Sequence, residues 1–94
     1  MTLAAHLRSI GLEQAPSRWG ADPAFWWRGR EIVHTHGDLI EIRLTRKGIR
    51  ELEDDRAMLR ARTSDWVMVA ANHEDLILDL AERAKALNTN DAPT

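Results

Sequence analysis

Residues 30–44 read REIVHTHGDLIEIRL. On each side of Gly37-Asp38 the residues suit a β-strand whose side chains alternate between two faces. Glycine accepts a positive φ without steric cost and aspartate tolerates one better than most residues, so Gly37-Asp38 predicts a tight turn. The stretch therefore predicts a β-hairpin, and the fold is built outward from it.

The turn sets which residues face each other across the two strands. The expected pairs are His36 with Leu39, Thr35 with Ile40, His34 with Glu41, Val33 with Ile42, and Ile32 with Arg43. Opposed residues share a face of the sheet. One face is then apolar, with Val33, Thr35, Ile40, Ile42 and Leu44. The other face is the wetter one, with His34, His36, Glu41 and Arg43.

The flanking sequence predicts helices and further strands. The expected elements are a helix over 3–10 capped by Thr2, a loop over 14–23, an aromatic strand over 25–27, a helix over 45–52, strands over 58–62 and 66–71, and a final helix capped by Asn72. This order predicts an α+β fold (α-β-β-β-α-β-β-α), a single-layer, mostly antiparallel sheet of about five strands with helices packed on one face. We expect one domain over residues 1–88 and a disordered tail over 89–94.

Composition narrows the classes of function. Of the 94 residues 44% are hydrophobic and 30% charged, as in ordinary globular domains. A net charge of −2 argues against nucleic acid as a partner for the whole domain. The absence of cysteine excludes disulfides, thiolate metal sites and thiol nucleophiles, and it fits a cytoplasmic location. No apolar run approaches the roughly 20 residues that span a bilayer, so we expect no membrane association.

The paired histidines are the first candidate site. His34 and His36 share a face, and Glu41 lies opposite His34, so two imidazoles and one carboxylate can surround a divalent metal. This pattern suggests a metal-dependent enzyme. The competing interpretation is an ordinary cross-strand contact between His34 and Glu41.

A second candidate site is basic. Arg43, Arg46, Lys47 and Arg50 lie where a strand gives way to a helix, a position that suits an anion or a nucleic-acid phosphate. The alternative is a solvated basic face. Trp26 and Trp27 are neighbours in one strand and must point to opposite faces. We therefore place the indole of Trp26 near His34, His36 and Arg43 as part of a ligand-binding surface.

Three segments resemble a known family. They are residues 29–38 (GREIVHTHGD), 40–47 (IEIRLTRK) and 62–67 (RTSDWV), and they are similar to small, uncharacterised bacterial proteins named luciferase-domain or luciferase-family proteins. The resemblance covers roughly residues 26–87. It implies no catalytic residues, and the chain lacks a flavin-phosphate loop to match the family name.

Taken together, the sequence favours a non-catalytic ligand- or protein-binding domain that uses the exposed sheet face around the His34/His36 hairpin. A homodimer, a protein partner and a small-molecule ligand all fit such a surface. The favoured interpretation invokes no metal and no cofactor. The metal-dependent enzyme and the anion or nucleic-acid site remain the alternatives.

Overall fold

A computed structural model describes residues 2–20, 22–60 and 64–89. In these ranges the chain forms three helices and six strands. The helices are α1 (Leu3–Ser9), α2 (Thr45–Arg50) and α3 (Glu74–Leu87); the strands are β1 (Glu13–Pro16), β2 (Pro23–Trp27), β3 (Arg30–His36), β4 (Leu39–Arg43), β5 (Met58–Leu59) and β6 (Trp66–Ala70). No helix in the described ranges is long and apolar enough to cross a membrane.

All strands belong to one open antiparallel sheet with the order β1-β2-β3-β4-β6-β5. The predicted α+β class is confirmed, but the sheet has six strands and not five. The additional strand is β1, which falls in the predicted loop over 14–23. Proline is compatible with an edge strand, where a missing N–H breaks no ladder, so Pro16 does not exclude the pairing of β1 with β2.

The hairpin of β3 and β4 has the predicted register for four of its five pairs. Gly37 adopts a φ of +61°, as expected for glycine at the first central position of a two-residue turn. The fifth pair is wrong, because the ladder between β3 and β4 ends at Val33 and Ile42 and does not include Ile32 with Arg43. Ile32 is instead the extra residue of a bulge in the pairing of β2 with β3.

That bulge changes which side chains face the core. Phe25 pairs with Val33 but Trp26 pairs with Glu31, so Ile32 is an extra residue in β3. Ile32 and Val33 are both fully buried in the hydrophobic core. Glu31 consequently lies beside His34, on the face away from the core.

The core lies between the sheet and the helices. Leu7 of α1 and Ile77 and Leu80 of α3 pack with Val33 and Ile42 of the sheet, and all five are fully buried. Burying such a side chain contributes about 1.5–3 kcal/mol. The helix-packed face is therefore structural, and the opposite face is available for function.

Of the two predicted helix caps, one is confirmed and one is wrong. Thr2 caps α1 as predicted, accepting a hydrogen bond from the Ala5 N–H at 3.1 Å. Helix α3 begins after His73, and Asn72 is not its cap. The predicted disordered tail lies outside the described residues except for Thr89, whose hydroxyl accepts a hydrogen bond from the Trp27 indole N–H at 3.0 Å. Of the predicted strand over 58–62, residues 61 and 62 also lie outside the described ranges.

Candidate functional site

A cluster of buried charged side chains lies on the sheet face away from the core. Glu31, His34 and Glu41 are 4%, 8% and 5% exposed. Burying charged groups is costly unless they are paired, so their arrangement needs explanation. The predicted open face is wrong at these positions, because residues outside the hairpin cover them.

The His34 imidazole lies between two carboxylates. Its Nε2 is 3.4 Å from Oε2 of Glu41 on β4, and its Nδ1 is 3.6 Å from Oε2 of Glu31 on its own strand. The cross-strand contact with Glu41 is the one that the hairpin register predicts. The contact with Glu31 arises from the bulge at Ile32, since strict alternation puts residues 31 and 34 on opposite faces.

Glu31 also holds the loop that follows β1. Its Oε1 accepts a hydrogen bond from the Arg18 backbone N–H at 2.8 Å, and its Oε2 accepts one from the Ser17 hydroxyl at 3.1 Å. This anchoring brings Trp19 over the cluster, with its ring centroid 6.3 Å from that of His34. The loop thus covers the cluster and is attached to the sheet through the buried carboxylate of Glu31.

Trp66 covers the cluster from the other side. It is 7% exposed, with its ring centroid 5.5 Å from His34 and 6.1 Å, edge to face, from Trp19. Trp19 itself remains 62% exposed, so it covers the cluster from the solvent side and is not part of the core. The two indoles reduce access of water to His34 and leave one open side.

On that open side lies a cavity of about 440 Å³, which we call the His34 cavity. It is lined by Ser17, Trp19, Gly20, Asp22, His34, His36, Glu41, Arg60 and Met68. Its charged rim includes Arg60, whose Nη1 is 3.2 Å from Oε1 of Glu41. His36 is exposed, with its ring edge-to-face to that of His34 at 6.5 Å. The volume falls in the range of sites for small molecules.

His34, His36 and Glu41 form the one group of three potential metal ligands found in the described residues. One ligand atom from each lies within 4.8 Å of the others. This is the set that the sequence pattern identifies. His34 Nδ1 and Glu41 Oε1 are buried, and their charged neighbours, Glu31 at 3.6 Å and Arg60 at 3.2 Å, form ion pairs without the geometry of a hydrogen bond.

The other predicted site residues are elsewhere. Trp26 lies opposite Glu31 in the sheet and does not line the His34 cavity, and its predicted part in a ligand-binding surface stays a prediction. Its indole N–H is buried without a hydrogen-bond partner. Arg46, Lys47 and Arg50 are exposed on α2, and Nη2 of Arg43 lies 3.8 Å from Asp65. The anion site predicted from these residues stays a prediction.

Sequence reasoning missed the residues that come from outside the hairpin. Trp19, Arg60 and Met68 reach the cavity from a loop, from the end of β5 and from β6. None has a spacing relative to the histidines that marks it. The four tryptophans in a chain of 94 residues were the available signal for an aromatic wall.

Comparisons of the chain with family models, curated proteins and solved structures find no match.

Proposed function

We propose that this chain is a non-catalytic binding domain that holds a divalent transition-metal ion at the floor of the His34 cavity and binds a small ligand there. The observation that carries the proposal is the convergence of ligand atoms from His34, His36 and Glu41 within 4.8 Å of one another. Two imidazoles and a carboxylate are a donor set that suits zinc, nickel or copper.

The spacing of the first two donors supports a shared ion. His34 Nε2 and Glu41 Oε2 are 3.4 Å apart. Two donors bound tetrahedrally to one zinc ion at about 2.0–2.1 Å lie roughly 3.3 Å from each other. His34 and Glu41 therefore need little movement to bind one ion, and the exposed His36 side chain has the freedom to complete the set.

The position of Glu31, on the other side of the His34 imidazole from Glu41, supports the same assignment. Metal-binding histidines commonly direct the second ring nitrogen at a carboxylate, which fixes the ring and the tautomer. Glu31 Oε2 lies 3.6 Å from His34 Nδ1, and Glu31 is itself held by Ser17 and Arg18. The buried carboxylate thus orients the Nε2 atom of His34 toward Glu41.

The cavity leaves room for a ligand on the ion. Three protein donors leave at least one coordination position open. The Trp19 indole and the Met68 side chain supply apolar contact in the cavity. Among the described residues of the lining, Ser17 alone carries a side-chain hydroxyl, and it donates to Glu31. This lining favours binding over nucleophilic catalysis.

We further propose a family relationship and a cellular location for this chain. The similarity to luciferase-domain proteins suggests kinship but gives no residue of this site a role. A cytoplasmic location is suggested by the absence of cysteine.

Metal titration of the untagged full chain tests the function. We expect zinc, nickel or cobalt to bind with one ion per chain, as measured by dialysis and elemental analysis, and to raise the melting temperature. His36→Ala removes an exposed ligand without disturbing the buried cluster, and it should abolish uptake. His73→Ala is the matched control, because this histidine precedes α3 and lies outside the cavity.

The competing interpretation is a structural cluster in which an imidazole donating from both nitrogens serves Glu31 and Glu41. It predicts no uptake of metal by the wild type. It also predicts that His36→Ala behaves like His73→Ala. Either result would refute metal binding.

A metal-free ligand site is the second candidate function. The exposed Trp19 indole above the His34 cavity favours it, because aromatic faces line small-molecule sites. Trp19→Ala then weakens binding of an organic ligand found by fragment screening in metal-free buffer. A screen whose hits bind the Trp19→Ala variant equally well would exclude this candidate.

A further inference from the structure

Three arginines converge on a second cavity on the same face of the sheet. This cavity has a volume of about 340 Å³ and is lined by Arg18, Trp19, Gly29, Arg30, Glu31 and Arg43. Arg18 comes from the loop after β1, Arg30 from the start of β3 and Arg43 from the end of β4. We call it the arginine cavity.

The positive charge of the arginine cavity is poorly compensated. Within the described ranges, neither Arg18 nor Arg30 has a carboxylate within 4.0 Å, and the nearest carboxylate to Arg43 is Asp65 at 3.8 Å. The Nε–H of Arg43 is buried and has no hydrogen-bond partner. Guanidinium groups that share one cavity repel each other unless an anion lies between them.

The one carboxylate in the lining is already engaged. Glu31 accepts hydrogen bonds from the Ser17 hydroxyl and from the Arg18 N–H, and it approaches His34 from the side opposite to Glu41. Its two oxygens therefore contact the loop and the imidazole. The N–H groups of the arginine side chains remain available to donate to an external partner.

We propose that the arginine cavity binds a phosphate group. Three guanidiniums against Glu31, the one carboxylate among the described lining residues, leave a charge of about +2, or about +1 when Asp65 beside Arg43 is counted. Either charge complements a phosphate monoester, which carries about −1.5 to −2 at neutral pH. Arginine presents paired N–H donors that match phosphate oxygens. This inference goes beyond the proposed function and needs no metal at His34.

Trp19 relates the two cavities, since it lines both. Its indole offers a flat apolar surface beside the phosphate position, and Arg18 already lies 6.0 Å from the centroid of that ring. A phosphate monoester with an aromatic group therefore gains a stacking contact that inorganic phosphate lacks.

The test is a titration of the full chain with inorganic phosphate at constant ionic strength and without metal. The signals followed by NMR are the Trp19 indole N–H and the Gly29 amide. We expect saturable shifts with a dissociation constant of about 1 mM or tighter, and about tenfold weaker binding in Arg18→Gln. This variant keeps the backbone N–H that binds Glu31, so the loop should stay in place.

Arg46→Gln is the matched control, because this exposed arginine on α2 does not line the cavity. It should bind phosphate like the wild type, and Arg30→Gln should bind as weakly as Arg18→Gln. Absence of saturation at about 20 mM phosphate, or equal weakening by Arg46→Gln and Arg18→Gln, would overturn the proposal.

Phenyl phosphate, titrated in parallel, identifies the source of the phosphate group. Tighter binding than that of inorganic phosphate assigns an organic monoester that stacks on Trp19. Binding of inorganic phosphate alone assigns the free anion. Loss of metal uptake in His36→Ala with unchanged phosphate binding separates this site from the metal site.

Discussion

Replacing Glu31 by glutamine tests whether one buried carboxylate organises the whole site. The substitution keeps the shape of the side chain and removes its charge. Glu31 receives two hydrogen bonds, from the Arg18 N–H at 2.8 Å and from the Ser17 hydroxyl at 3.1 Å. Hydrogen bonds to a charged acceptor contribute about 1.5–3 kcal/mol each, and neutral ones about 0.5–1.5 kcal/mol.

The expected loss is therefore about 1 kcal/mol for each bond, or about 2 kcal/mol in the free energy of unfolding. For a domain of this size that corresponds to a fall in the melting temperature of roughly 8–16 °C. Urea denaturation measures the free energy. Hydrogen exchange at the Arg18 amide measures the loop separately. We expect this amide to exchange faster in Glu31→Gln than in the wild type, by a larger factor than the amides of the core strands.

Glu13→Gln is the matched control, because Glu13 is exposed on the edge strand β1. A surface change of this kind alters stability by less than about 0.5 kcal/mol. If Glu31→Gln has no larger effect than Glu13→Gln, or if exchange at the Arg18 amide is unchanged, Glu31 does not anchor the loop and the orientation of His34 needs another cause.

Three further perturbations have defined outcomes. Arg60→Gln removes the cation 3.2 Å from Glu41 Oε1. The affinity for the metal ion, measured by equilibrium dialysis, should therefore rise by about 1 kcal/mol, or roughly fivefold. An unchanged or lower affinity would contradict the proposed metal position. The side-chain hydrogen bonds of Arg56 lower the pKa of Asp54 to about 2. The contact between the two residues therefore stabilises the fold fully above the pKa that Asp54 has in the unfolded chain, and this stabilisation is lost as the pH falls toward 2. NMR titration of that carboxyl in Arg56→Gln should show a pKa raised toward the ordinary value but still below it, because the Arg56 backbone N–H continues to donate to Asp54 Oδ1 at 2.9 Å. A midpoint still near 2 would rule out the Arg56 side chain as the main cause. Gly48→Ala gains about 1 kcal/mol of helix propensity, but the added Cβ meets a side-chain atom of α3 at 2.5 Å. We expect a net destabilisation of roughly 1 kcal/mol, measured by urea denaturation. Net stabilisation would show that the side chain on α3 moves aside at little cost.

Local sequence determined the hairpin and the set of potential metal ligands. The two-residue turn at Gly37-Asp38 fixes the register, and the register places Glu41 opposite His34. Alternation along β3 then puts His36 on the same face as His34. These relations involve neighbours in one hairpin, so they follow from backbone geometry alone.

Tertiary structure decided how that face is used. The bulge at Ile32 brings Glu31 beside His34, and an alternation pattern gives no sign of it because the extra residue is defined only by the pairing of β2 with β3. The burial of His34 depends on Trp19 and Trp66, which are far from it in sequence. The hairpin sequence supplied the donor atoms, but the packing of distant segments determined that His34 and Glu41 are buried beside Trp19 and Trp66, next to the His34 cavity.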